Sequence, residues 1–252
     1  MDAERRVPPG SIDRAFDATP PTPPCKDSMI KRLAALLPEP VLQTLRRWWY
    51  RHHIKRGNFM TDEPEFSRLD EWIAPGDWVI DVGANVGIYT RRMSELVGST
   101  GRVIAFEPVP STFELLASNT SDLGNVTLIQ AAVAAESCVV QMDMPAFESG
   151  LRNHYQARIT ADGDISAVGF VLRELNTPPP ALVKIDAEGH DAHVIAGLAS
   201  QPLVPVLIVE DNSDETVRLL HDLGYESERV AGSPNTIWRA EDDGQRSSGE
   251  HQ

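Results

Sequence analysis

The run "VIDVGANVGIYT", Val79 to Thr90, constrains the fold more than any other stretch of this 252-residue chain. Apolar residues flank Asp81, Gly83 and Gly87 follow, and a helical pattern starts at once. A strand, a glycine loop and a helix form the opening unit of an alternating α/β sheet. In such sheets ligands bind beyond the carboxyl ends of the strands, at the switch point.

The rest of the chain keeps that alternation. Strands are predicted at Trp78–Val82, Val103–Phe106, Val126–Ile129, Leu182–Ile185 and Leu207–Glu210. Helices are predicted at Val86–Val97, Ser111–Asn119, Asp191–Leu198 and Glu215–Leu223. This order implies a parallel sheet covered by helices on both faces. "ESERV" and "TIWRA" read as a closing hairpin around the Gly232–Asn235 turn, and "PEFSRLDEWI" as a short helix before the "APGD" turn. An irregular β-rich stretch runs on to Met144, residues 145–165 read as a loop or lid, and Val168–Leu175 as a short helix. Residues 1–27 are a proline-rich tail expected to be disordered, and 28–60 a basic helical segment broken at Pro38 and Pro40. Residues 61–240 form the main domain, and 241–252 a disordered polar tail.

Charge is unevenly spread. The formal net charge is −14, yet residues 28–60 carry +6 and residues 1–27 carry −1, which leaves −19 for residues 61–252. A body this acidic argues against a nucleic-acid enzyme, because phosphate backbones need a basic track. Cys25 and Cys138 lie in unlike contexts, a tail and a strand-like run, so no disulfide is expected. No apolar run suits a secretory signal or a membrane span. The expectation is a soluble, cytoplasmic protein.

The glycine loop does not fit the dinucleotide fingerprint G-x-G-x-x-G, whose middle glycine would fall at Asn85. A carboxylate inside the loop also repels a pyrophosphate. A cationic ligand such as S-adenosyl-L-methionine suits it better, with its amino group on Asp81 and its carboxylate on loop N–H groups. "VIAFEP" ends in Glu107, near the offset at which an acid meets ribose hydroxyls. The plainer reading of Glu107 is a solvated strand end before Pro108.

Together "VIDVGANVGIYT", "VIAFEPVPSTFELLASN" and "LVKIDAEGHDAHVIAGL" resemble the FkbM-type S-adenosylmethionine-dependent methyltransferases, over about Pro64 to Gly224. The resemblance implies a class I methyltransferase (Rossmann-like) α/β fold, a mostly parallel sheet with an antiparallel edge. It also implies that Asp81, Gly83, Asn85 and Gly87 hold the methionine part of the cofactor and Glu107 the ribose. Two stretches depart from the family pattern. "IQAAVAAESCVV" lacks the acid and glycine expected on the adenine side, and "FVLRELNTPPP" replaces a threonine-leucine-aspartate pattern.

Methyl transfer needs an aligned acceptor and a group to take its proton. "LVKIDAEGH" puts Asp186, Glu188 and His190 just past the fourth strand, beside the first. His190 is a credible base by its ordinary pKa. Against these roles, Glu188 can instead orient the Gly189 loop and His190 can be an exposed helix start. Lys184 is expected to alternate away from the core. Asp211 and Asn212 offer oxygens for Mg²⁺ together with Asp186, or simply cap the next helix; no metal is assigned. His154, Ser149 and Gly150 fall in the lid segment, and His52 and His53 on a basic helical face.

"LQTLRRWWYRHHIKRG" admits two readings, an amphipathic face on anionic lipid through residues 41–56, or Trp48 and Trp49 packed on the acidic body. A lipid-linked sugar acceptor makes both true. The function expected is transfer of a methyl group from S-adenosylmethionine to a hydroxyl of a small-molecule, sugar or lipid-linked natural-product acceptor. A nitrogen or carboxylate acceptor, or a non-catalytic cofactor-binding module, are the alternatives.

Overall fold

The computed structural model describes residues 37–145, 157–160, 162–199 and 202–241. The chain enters through helix α1 (Glu39–Lys55) and a 3-10 helix (Pro64–Glu71). β1 (Trp78–Val82), α2 (Ile88–Val97), β2 (Arg102–Phe106), α3 (Pro110–Asn119) and β3 (Val126–Ile129) follow. A second, smaller sheet is built from β4 (Ala132–Val133), β5 (Cys138–Asp143), β6 (Arg158–Ile159) and β7 (Ile165–Phe170), in the order β4-β7-β5-β6. The chain then returns through β8 (Leu182–Ile185), α4 (Asp191–Leu198), β9 (Val206–Val209), α5 (Asp214–Asp222), β10 (Tyr225–Arg229) and β11 (Thr236–Ala240).

The main sheet runs β10-β11-β9-β8-β1-β2-β3. The ladder from β9 through β8, β1 and β2 to β3 is parallel, and β11 joins antiparallel to β9 with β10 as the edge. The order departs outward from β1 to β3 and resumes at β8 on the other side of β1. The switch point therefore lies between β1 and β8.

Alternate residues along each strand feed two cores. Ile80, Val82, Ile104, Phe106, Val183 and Ile185 pack with α4 and α5 side chains on one face. Val79, Val103, Leu182 and Ile208 pack with Tyr89, Met93 and Leu69 on the other. Parallel strands covered twice must be apolar on both faces, which is why these runs read as continuous rather than alternating.

Two predicted features change. Val168 to Phe170 belongs to β7, and only Leu172–Glu174 is helical, as one 3-10 turn. Here strand pairing between Val139 and Val168 outweighs the short helical pattern. At the proline pair, Pro38 is the non-helical N-cap and Pro40 sits in the first turn of α1, where a missing N–H costs nothing. Lys184 does not point away from the core: it is 3% exposed, because a sheet covered on both faces has no outside. The tails, Met29 to Leu36, the middle of the proposed lid with His154, Ser149 and Gly150, and Cys25 lie outside the described residues. Cys138 is an exposed free thiol.

Candidate active site

The loop after β1 is shaped by backbone. Gly83 has φ +74, and a Cβ there would stand 1.8 Å from the carbonyl oxygen of Asp186, so no side chain fits where the β1 and β8 ends cross. Gly87 caps α2 in the left-handed region at φ 92. Between them Asn85 is also left-handed, φ 50, and Glu188 on the facing loop has φ 49. These are the two non-glycine residues with positive φ among those described. Both flank the same cleft, and strain of this kind clusters where a fold holds a site in a fixed shape.

That cleft encloses about 560 Å³, its open mouth included. Gly83, Asn85 and Glu107 line one side, and Asp186, Glu188 and His190 the other. Met142 and Ile159 of the second sheet add an apolar wall. Six of the eight residues singled out in the sequence thus meet in one space. Asp81 and Gly87 stand behind it.

Asp81 is fully buried. Its Oδ2 accepts from Thr90 Oγ1 at 2.6 Å, and it sits in register with Lys184 on β8. Burial raises its pKa, against the pull of the Lys184 ammonium. Glu107 accepts the backbone N–H of Asn85 at 3.0 Å and of Val109 at 2.9 Å, one on each oxygen. Burial pushes its carboxyl up to about 7, although those two N–H groups favour the charged form. Asp81 Oδ1 and Asn85 Oδ1 are buried acceptors with no partner among the described residues. Asn85 lines the cleft, so a ligand carrying an ammonium or hydroxyls brings the donor its oxygen needs, whereas Asp81 lies behind the lining.

On the other side Lys184 Nζ meets Asp186 Oδ2 at 2.8 Å and lies 4.8 Å from the centre of the Tyr89 ring. Burial opposes ionisation of Asp186, but Lys184 and a hydrogen bond from Glu210 hold its pKa down. The Asp186 charge, burial and that bond push Glu210 up, so it keeps its proton. Burial and the charges of Asp186 and Asp191 raise Glu188 to about 8. His190 falls to about 4, through burial and through His193, whose ring stacks on it at 4.3 Å.

Residues that sequence patterns missed complete the setting. Tyr89 Oη contacts Glu63 Oε2 at 2.5 Å and Glu65 Oε1 at 3.0 Å, and the Asn235 amide donates to Glu65. This buried set ties the 3-10 helix, α2 and the β10–β11 turn together beside Lys184. The acid pair in "DEPEF" was its signal, but nothing local reveals its partners.

Asp186, Glu188 and Glu210 bring carboxylate oxygens within 4.8 Å of one another. Lys184 and the Glu210 proton already compensate their charge. Asp211 and Asn212 are engaged elsewhere. Asp211 accepts from Ser213 N at 2.9 Å, Ser213 Oγ at 2.7 Å and Thr216 Oγ1, at the start of α5. Asn212 donates to Glu210 O and Pro234 O and accepts from Thr236 Oγ1 at 2.5 Å. The cap of α5 is Ser213, whose side chain accepts from Thr216 N; Asp211 holds Ser213 and Thr216 in place, and Asn212 ties the chain to the β10–β11 turn.

A parallel sheet with the antiparallel β10–β11 edge, a glycine loop after β1 and an acid ending β2 define a class I methyltransferase domain. The chain matches the methyltransferase FkbM domain model over residues 81–227, more than half its length, and it belongs to that family. The domain is S-adenosylmethionine-dependent. Hexuronic acid methyltransferase AglP of Haloferax volcanii is 27% identical over 130 residues, 49% of this chain and 51% of that protein. Ribosomal RNA large subunit methyltransferase E of Azoarcus sp. is 31% identical over 126 residues, 48% of this chain and 61% of that protein. The chain thus spans between half and two-thirds of the curated relatives it matches. Among solved structures, Aeropyrum pernix fibrillarin with bound S-adenosyl-L-methionine covers 68% of each chain at 14% identity and TM-score 0.45. An FkbM methyltransferase from Methylobacillus flagellatus covers 65% of this chain and 43% of its own at 13% identity, TM-score 0.45.

Proposed function

We propose that this chain transfers a methyl group from S-adenosylmethionine to a hydroxyl of a sugar, a lipid-linked glycan or another small natural product. One observation carries the reading: the residues expected on the cofactor side, Gly83, Asn85 and Glu107, and those expected on the acceptor side, Asp186, Glu188 and His190, line a single cleft. S-adenosylmethionine supplies a methyl group already activated on a sulfonium sulfur. What the chain adds is alignment and a proton acceptor.

In this reading Gly83, Asn85 and Gly87 shape the loop against the methionine part, Asp81 braces it from behind through Thr90, and Glu107 accepts from the ribose. Glu188 takes the proton of the acceptor hydroxyl. Its pKa of about 8 is matched to that task, whereas His190 at about 4 is a poor base and serves instead as a cleft wall. Asp186, held ionised by Lys184, keeps Glu188 high and orients the acceptor.

AglP acts on a hexuronic acid by its name, which supports a carbohydrate acceptor. The other relative methylates ribosomal RNA by its name, but the −19 carried by residues 61–252 disfavours a polyanionic substrate here. The test is incubation with methyl-labelled cofactor and a panel of glycosides, uronic acids and lipid-linked sugars. The expected product carries the label on an ether oxygen. Label on nitrogen or on a carboxylate, or cofactor binding with no turnover on any member, contradicts it.

A further inference from the structure

α1 presents two unlike faces. Its inner face is anchored: Tyr50 is buried, Trp49 packs beside it, and they meet Val86 and Ile88 of the cofactor loop and Leu115 of α3. Gln43 donates to Ser111 O, and Arg47 pairs with Glu114 at 2.7 Å. The outer face is a stripe at helical spacing. Val41 is 43% exposed, Leu45 50% and Trp48 66%. Arg51 and Lys55 continue it exposed, with Arg56 just beyond. None of these three cations forms an ion pair with a described residue.

We propose that the outer face of α1, Val41, Leu45 and Trp48 with Arg51, Lys55 and Arg56, is a docking surface for an anionic lipid bilayer. An aliphatic stripe with one tryptophan, continued by exposed cations, matches the apolar boundary and the negative headgroups of such a surface. Charge selects the orientation: α1 lies in the +6 segment of a chain whose body carries −19, so this face meets an anionic surface while the body is repelled. Competing occupants fit less well. RNA needs a basic track, not Val41 and Leu45. A second copy meeting this face with its own would set like cations against one another. No described helix is long and apolar enough to cross a membrane, so the contact is peripheral. The inference stands apart from the acceptor reading, since vesicle binding needs no turnover.

The experiment is co-sedimentation of the full chain with vesicles of phosphatidylglycerol and phosphatidylcholine in equal parts, and with phosphatidylcholine alone. Binding is expected to the first only, and to weaken with salt. Replacing Arg51, Lys55 and Arg56 with Ser should weaken it on the order of a hundredfold, at about fivefold per basic residue. Trp48→Ser should weaken it as well, and both variants should bind S-adenosylmethionine like wild type, which shows that they fold. No binding to anionic vesicles at low salt, or binding unchanged in both variants, overturns the proposal. So does a dimer that Trp48→Ser dissolves without any vesicle binding, displacement by single-stranded RNA of a protein indifferent to vesicles, or a Trp48 shielded from acrylamide quenching in the vesicle-free chain.

Discussion

Gly83 and the main-chain carbonyl of Asp186 approach so closely that a Cβ at residue 83 would stand 1.8 Å from the oxygen. The loop after β1 and the loop after β8 are therefore locked together through bare backbone. Gly83→Ala forces that contact apart and also places an alanine at φ +74, itself a cost of about 1–2 kcal/mol. Backbone on both sides leaves no side chain to swing away. The variant should lose at least about 3 kcal/mol of stability in urea titration. An alanine variant with wild-type stability and cofactor affinity would show that the two loops are not crossed this way.

If Glu107 accepts from the ribose, as proposed, cofactor binding is linked to protonation. Its folded pKa of about 7 lies above the ordinary value of 4.5. Between those values the folded chain keeps a proton that the unfolded chain has released, so this group's contribution to stability falls as pH rises through that window. Ribose hydroxyls donate best to the ionised carboxylate. Binding of S-adenosylmethionine at pH 6–7 should therefore release part of a proton. Calorimetry in buffers of different ionisation heat reads this directly, and a binding heat independent of buffer would count against Glu107 as the ribose partner.

Glu188 and His190 can be told apart by pH. A base with a pKa of about 8 gives single-turnover rates that rise through pH 8, while one at about 4 gives a rise complete by pH 6. The rise near 8 is expected. Glu188→Gln should lower turnover by about 10²–10⁴ and His190→Ala much less. Glu188→Gly supplies the control, since glycine relieves a left-handed φ of 49. It should hold or gain stability, by up to about 1 kcal/mol, while turnover falls as in the glutamine variant. Equal rates in all three would remove Glu188 from the chemistry.

Much of this was legible in the sequence because short-range physics decides it. Val79 to Thr90 reads as strand, loop and helix since Gly83 and Gly87 occupy positions that only a left-handed or crowded backbone demands. The candidate site residues on the β1, β2 and β8 ends follow from the alternation and the switch-point rule. Lys184 was misread because a single cation between Val183 and Ile185 looks like an outward position. Only knowing that the 3-10 helix and α2 cover that face reveals it as the partner of Asp186. Tyr89, Glu63 and Glu65 escaped for a similar reason, since their contacts join segments more than twenty residues apart. The small second sheet was illegible as a unit because its strands pair across the 145–156 segment and return in a different order.

Asp211 tests the metal question. Its oxygens are taken by Ser213, the N-cap of α5, and by the Thr216 hydroxyl, so it supports the cap rather than a cation. Asp211→Ala should cost about 1 kcal/mol of stability in thermal unfolding, the scale of a lost hydrogen bond, and leave turnover unchanged. Activity should also survive EDTA, given that Lys184 already neutralises Asp186. Restoration of an EDTA-silenced enzyme by Mg²⁺ would instead make Asp186, Glu188 and Glu210 a cation site.

The central claim, that the cleft between the β1, β2 and β8 ends binds S-adenosylmethionine, meets its most direct test in titration of that cofactor into wild type and Glu107→Ala, each shown folded by circular dichroism. Losing a hydrogen bond to a charged group costs roughly 1.5–3 kcal/mol, so the wild type should bind and the variant should bind at least tenfold more weakly. A wild type that does not take up the cofactor, or a folded variant with undiminished affinity, would contradict it.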